Sequence, residues 1–211
     1  MEWYVSTILV FTIVPLSALL FFYVIGKYTR HKRYFPWTTR EKRNLDTLRM
    51  EQNIHRDAHG EVLSLETGNG LTALAAASKP EVTRVVVSDS DPRVLDGLGT
   101  FFQREGVMDK IEIRTGDLFD AAGDERFDYV ILNPPYLSSR LWSVHERFIA
   151  QLKNHLKPGG VAHFQLLSTD QSLTLEDIEQ DYEIVKKESA YGGEWYTMLY
   201  LTIKPRSDTS S

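Results

Sequence analysis

Beyond residue 57, short apolar runs alternate with segments of helical period, separated by clusters of Gly, Pro and Asp. Glu61–Leu65, Thr83–Ser88 (with Val85-Val86-Val87 at its centre), Lys110–Thr115, Phe127–Leu132 and Val161–Leu167 read as strands. Leu71–Ser78, Asp91–Glu105, Leu141–Leu156 and Leu175–Gln180 read as helices, the third ended by Lys157-Pro158-Gly159-Gly160. Two last strands, about Tyr182–Ala190 and Glu194–Lys204, flank a Gly192-Gly193 turn. Upstream, Thr39 is placed to cap a helix from about Arg40 to Arg56, with Leu45, Leu48 and Glu51-Gln52 setting its faces, before Asp57 to Gly60 breaks it. Repeated β-α-β units predict an α/β fold: a mostly parallel, seven-stranded sheet with helices on both faces and a C-terminal antiparallel hairpin at one edge.

The first residues follow a different pattern. Trp3 to Gly26 contain no charge, and as a helix rising about 1.5 Å per residue they would span roughly 36 Å, enough for a hydrocarbon core of about 30 Å. Pro15 is tolerated in such a helix, and Trp3, Tyr4, Tyr23 and Tyr28 suit the two interfaces. A cleaved leader would start with basic residues and end on small ones, whereas this segment opens with Met1-Glu2 and closes on Phe21-Phe22-Tyr23-Val24. The reading is a single-pass transmembrane helix that makes the lipid bilayer a partner. The basic run Lys27, Arg30, Lys32, Arg33, Arg40, Lys42 and Arg43 then places the C-terminal bulk on the cytoplasmic side of the membrane. The expected organisation is residues 1–26 as the transmembrane helix, 27–57 as a basic juxtamembrane linker with an amphipathic helix, 58–204 as the α/β domain and 205–211 as a disordered tail.

Composition narrows the chemistry further. With no cysteine there is no disulfide, thiolate metal site or cysteine nucleophile, and the six histidines show no metal-ligand spacing, so no metal is expected. The formal net charge is −5 although residues 27–43 are basic, so the remainder is acidic. An acidic domain is a poor electrostatic match for bare phosphate, and nucleic acid is not expected as a partner unless a partner subunit supplies the surface.

In doubly wound sheets, ligands bind at the carboxyl ends of the strands near the switch in strand order, so the turns after the first four strands are the informative ones. The first is Ser64-Leu65-Glu66-Thr67-Gly68-Asn69-Gly70, where glycines take positive φ and let the backbone approach a ligand. The second strand runs into Asp89, whose carboxylate can accept from a ribose diol; a helix cap within Ser88-Asp89-Ser90-Asp91-Pro92 is the plainer role. The third ends in Gly116-Asp117-Leu118 and the fourth in Asn133-Pro134-Pro135-Tyr136.

Taken in order, VLSLETGNG, VVVSDSDP, GDLF, DYVILNPPY and LKPGG resemble the Rossmann-like class I S-adenosylmethionine-dependent methyltransferases over about residues 58–204. Within that class the chain resembles the N-methyltransferases with an NPPY motif, which include release-factor glutamine methyltransferases and amino-methyltransferases of DNA and RNA bases. The resemblance implies S-adenosylmethionine as cofactor. Thr67, Gly68 and Gly70 would line its methionine part, Asp89 would bind the ribose, Ser90 would lie near the adenine, and Asp117 with Leu118 would hold the adenine edge. Asn133, Pro134 and Tyr136 would be the catalytic residues, Asn133 also bordering the cofactor.

The motif has a physical rationale. A planar amide or amino nitrogen has a delocalised lone pair; if the Asn133 side-chain oxygen and the Pro134 carbonyl accept its two N–H bonds, the lone pair is aimed at the methyl group. The prolines hold those acceptors in place, and Tyr136 can stack on the planar group. Two positions depart from the family pattern: Ser64 stands where Asp or Glu is usual, and Glu66 where Gly is usual. Glu66 either turns its carboxylate to the cofactor's ammonium group or crowds the pocket. The expected function is methyl transfer to a planar nitrogen of a protein or small molecule at the membrane. The alternatives are a non-catalytic scaffold, suggested by Ser64 and Glu66, and an O- or C-methyltransferase of a membrane quinone or lipid.

Overall fold

The computed structural model describes residues 45–134, 141–168, 173–191 and 197–206. The expected transmembrane segment 1–26, the basic stretch 27–44, Pro135, Tyr136, the Gly192-Gly193 turn and residues 207–211 lie outside these. Among the described residues, no helix is long and apolar enough to cross a membrane.

Seven strands form one sheet: β1 (Gly60–Leu65), β2 (Val82–Asp89), β3 (Ile111–Thr115), β4 (Phe127–Leu132), β5 (Leu156–Leu167), β6 (Tyr182–Tyr191) and β7 (Thr197–Pro205), in the order β3-β2-β1-β4-β5-β7-β6. Pairing is parallel from β3 to β5, whereas β7 runs antiparallel to both β5 and β6. The central strands are apolar on both faces, as a parallel sheet covered by helices requires. Val62, Val85, Val87, Tyr129 and Ile131 face a core shared with α1 (Leu45–Asp57), α2 (Leu71–Ala77), α3 (Pro92–Leu95) and α4 (Leu98–Arg104). Leu63, Leu65, Val86, Val130 and Leu132 face the opposite core, with α5 (Leu141–His155) and α6 (Leu175–Asp181). The chain winds outward from β1 to β3 and returns to β4 on the other side of β1. That reversal opens a crevice above the carboxyl ends of β1 and β4.

The amino ends of the strands carry an ionic belt. Arg84 on β2 donates to Glu125, Glu112 and Glu61 at 2.7, 3.0 and 3.3 Å, and Lys157 on β5 donates to Glu61 and Asp128 at 2.6 and 2.9 Å. These cations hold Glu61, Glu112 and Glu125 below the usual carboxylate range; the leading partners are Lys157, Arg114 and Arg84 respectively.

Several element boundaries differ from the sequence expectation. The segment assigned to a linker helix packs as part of the domain: Met50 and Ile54, one turn apart, are fully buried, and Asn53 between them is 3% exposed. These residues, rather than Leu48 and Gln52, set the inner face of the helix over the positions whose burial is described. The helix expected over 91–105 is two helices, because Gly97 turns left-handed at φ 82 and starts α4. Strand β5 begins at Leu156, directly after α5, and Lys157-Pro158-Gly159-Gly160 form a bulge within it where its register against β4 shifts. Pro205, expected in the disordered tail, closes β7 opposite Tyr182, and Arg206 donates its backbone N–H to Asp181 at 3.0 Å.

Candidate active site

The turn after β1 closes on itself through backbone conformations that favour glycine. Gly68 and Gly70 have φ of 54° and 75°, and Gly70 N donates to Thr67 O at 3.0 Å. A Cβ on Gly70 would lie 3.0 Å from both Leu98 and Phe102, so the turn is also pressed against α4. Glu66 has φ 48°, in the same left-handed region. At the position where the family has glycine, this chain thus keeps glycine's backbone conformation with a glutamate, at a local cost of about 1 kcal/mol or more. Ser64, fully buried, places its hydroxyl 3.4 Å from that of Thr67, inside the turn.

Asp89 ties the first turn to the second. Its carboxylate, 6% exposed, accepts from Gly68 N at 3.2 Å and from Asp91 N at 3.0 Å. Burial raises its pKa against the pull of those donors. The capping role belongs instead to Asp91, which accepts from Arg93 N at the start of α3. Ser90, between them, is exposed. At the end of β3, Asp117 is exposed, and its Oδ1 accepts from Arg147 of α5 at 2.7 Å. That bond raises the Arg147 pKa, with the charges of Asp120 and Glu66 adding to it. Arg147 therefore feels acidic residues from two separate turns. Leu118 also takes a left-handed φ, 49°, and its side chain is buried in the core on the α5 face, so only its backbone is free to meet a ligand.

Beyond β4, Asn133 is half-buried and Pro134 buried. Asn133 Oδ1 accepts a hydrogen bond from Gln165 Nε2 on β5. Gln165 is 1% exposed, and its carbonyl oxygen accepts from His145 Nε2 of α5 at 2.9 Å. Sequence reasoning missed Gln165 and Arg147. Gln165 had a signal, an amide inside the apolar run Val161–Leu167; Arg147 had none, being one of several charges on an amphipathic helix.

The register fixes how these pieces meet. Leu65 lies beside Leu132, Ser64 beside Val87, and Asp89 beside Thr115, so the described candidates of all four turns sit at one end of the sheet. Tyr136 lies outside the described residues. The arrangement fits S-adenosylmethionine on two counts. The cofactor's ammonium and sulfonium outweigh its carboxylate, and three acidic residues, Glu66, Asp89 and Asp117, stand on the turns at this end of the sheet, Asp117 paired with Arg147. Among the described residues, a Cβ built on Gly68 meets only the Glu66 carbonyl, at 4.0 Å, so the turn presents open backbone where a ligand would pass.

Comparison with known proteins agrees with this geometry. Residues 45–192 match the family model of the methyltransferase small domain. The release factor glutamine methyltransferase of Xylella fastidiosa is 33% identical over 92 residues, covering 42% of this chain and 33% of that protein. The tRNA1(Val) (adenine(37)-N6)-methyltransferase of Actinobacillus pleuropneumoniae is 30% identical over 93 residues, covering 43% and 39%. The matches thus span about a third of the length of these curated relatives. A tRNA methyltransferase among them removes the ground for setting nucleic acid aside, since net charge alone does not separate the two substrate classes. The ribosomal protein L11 methylase of Lactobacillus delbrueckii superposes with a TM-score of 0.59 at 22% identity, covering 78% of this chain and 81% of that one, a likeness of fold. The chain belongs to the methyltransferase small domain family, class I S-adenosylmethionine-dependent methyltransferases on a Rossmann-like, mostly parallel seven-stranded sheet.

Proposed function

We propose that the protein transfers a methyl group to a planar nitrogen, foremost the side-chain amide of a protein substrate. One observation carries this reading: Asn133 stands half-buried at the end of β4, beside the cofactor turn, with its side-chain oxygen held by a buried partner. Bound S-adenosylmethionine supplies an electrophilic methyl group. Thr67, Gly68 and Gly70 line its methionine part, Glu66 takes the ammonium group, Asp89 the ribose hydroxyls, and Asp117 with the Leu118 backbone the adenine edge, near Ser90. The Asn133 oxygen and the Pro134 carbonyl accept the two N–H bonds of the target nitrogen. They concentrate electron density on it and fix its direction of approach; as the N–CH3 bond forms, the electron pair of the broken S–CH3 bond stays on the departing thioether, and the nitrogen releases one proton to solvent. On the sequence motif, Tyr136 would stack on the planar group.

The adenine amino group is the second reading, favoured by the tRNA methyltransferase relative. Residues 1–26 would anchor this domain to the cytoplasmic face of a membrane, a reading that rests on the uncharged run Trp3–Gly26 and the basic residues after it.

The test incubates the full chain with methyl-tritiated S-adenosylmethionine and a cell extract of its source organism, then separates protein, nucleic acid and lipid. Label on protein amide nitrogen, lost in Asn133→Ala, is the expected result. Label on nucleic-acid amino groups selects the second reading. Label on lipid oxygen or carbon, or no label beyond that of Asn133→Ala, overturns the proposal. Sedimentation of the full chain with membranes after an alkaline wash, against release of a chain lacking 1–26, checks the anchor.

A further inference from the structure

We propose that Gln165 is a positioning residue that orients Asn133 for its substrate. The inference rests on reading Asn133 as the acceptor for the target N–H.

An asparagine amide has two nearly isosteric orientations, related by exchange of oxygen and nitrogen, and only one offers an acceptor to a given point in the site. At the free end of β4, past the last ladder partner, the strand does not choose between them. Gln165 does. The parallel register places Leu132 beside Phe164, so the next residue along, Asn133, comes beside Gln165. Nε2 of Gln165 donates to Oδ1 of Asn133, which places the oxygen on the β5 side with a second lone pair still able to accept. With Gln165 in this orientation, the reverse orientation of Asn133 would set its amino group against the Gln165 amino group, donor against donor.

The support behind Gln165 is rigid. It is 1% exposed, flanked in sequence by buried Phe164 and Leu166, and paired with fully buried Tyr200 on β7. His145, itself 4% exposed, donates to its carbonyl from α5 at 2.9 Å, which pins the β5 backbone at this point. The opposite end of the amide, Oε1, is buried with no hydrogen-bond donor among the described residues. For packing alone a leucine or methionine would serve better here, since it buries no unsatisfied acceptor. Directing Nε2 at Asn133 gives a reason for an amide at this position.

The experiment compares full-length wild type with Gln165→Leu, Gln165→Met, Gln165→Glu and Asn133→Ala. It measures methyl incorporation into the same extract, S-adenosylmethionine affinity by calorimetry, and the orientation of Asn133 in neutron crystal structures, where the amide deuterons are seen directly. Gln165→Leu and Gln165→Met are expected to lower the maximal rate roughly tenfold to a hundredfold, the range for a slightly misplaced catalytic group, with cofactor Kd within about twofold of wild type. Gln165→Glu adds a readout that a merely structural role would not move. Its carboxyl donates to Asn133 Oδ1 only when protonated, so its rate relative to wild type should rise as pH falls from 8 to 6. A folded leucine or methionine variant within twofold of the wild-type rate, while Asn133→Ala is inactive, overturns the role of Gln165. So does an unchanged Asn133 orientation in those variants, a result that does not depend on finding turnover. If Asn133→Ala stays active, the acceptor reading of Asn133 fails and takes this role with it.

Discussion

Glu66→Gly decides between the two roles open to that residue, because it moves stability and affinity in opposite directions. At φ 48° the glutamate occupies a conformation that costs an L-residue about 1–2 kcal/mol, and glycine removes that strain. Glycine in turn loses more backbone entropy on folding, about 0.5–1 kcal/mol, which leaves a net gain between about zero and about 1.5 kcal/mol. For a domain of this size that is a rise in Tm of up to about 3–6 °C in the absence of cofactor. If the carboxylate meets the ammonium group of S-adenosylmethionine, its loss removes one partly screened charge contact of about 1 kcal/mol, or about fivefold in Kd. Thermal unfolding without cofactor and calorimetric titration at low and high salt read the two effects separately. The expected pattern is a higher Tm with weaker binding, the affinity difference shrinking as salt rises. A tighter Kd in the glycine variant would refute the ammonium contact and show that Glu66 crowds the pocket. A lowered Tm would refute the strain argument.

Other expectations follow from particular contacts. His163 is buried against Thr202 at 2.9 Å, and burial lowers its pKa from the ordinary histidine value to about 4. The unfolded chain therefore binds the extra proton first, and this site's share of stability, intact above about pH 6.5, falls by up to about 1.4 kcal/mol per pH unit towards pH 4. Urea unfolding between pH 7 and 5 should show a flatter pH dependence in His163→Val than in wild type; equal slopes would contradict the assignment. In Gly116→Ala the new Cβ would sit 2.7 Å from the Ala121 backbone nitrogen, a contact only a backbone shift can relieve. It should cost about 1–3 kcal/mol in urea unfolding and weaken S-adenosylmethionine binding, because Asp117 follows directly. A variant of wild-type stability would show that the turn yields freely.

Much of the fold was legible because the central strands announce themselves. Phe127–Leu132 has the same bounds in sequence and structure, since a short apolar run ahead of two prolines has few other ways to sit. The boundaries that moved are those set by neighbours. The first described helix reads as a linker until Met50 and Ile54 are seen to fill the core over the sheet, and Lys157 to Gly160 read as a helix stop although they form a bulge between Leu156 and Val161, both of which pair with β4. The strand β7 partner likewise keeps Pro205 out of the tail.

The candidate site divides in the same way. Local sequence determined the turns: glycines where φ is positive, Asp89 at the end of β2, Asn133 before the prolines, each a property of a few consecutive residues. Tertiary structure decided what those groups touch. Asp89 clamps the Gly68 amide, Asp117 pairs with Arg147 from a distant helix, and Asn133 takes its orientation from Gln165, thirty-two positions away. Hydrogen bonds between strands depend on strand order and register, which arise only when the sheet reverses between β1 and β4. The chain therefore carries the chemistry in its turns, and the sheet supplies the distances at which that chemistry works.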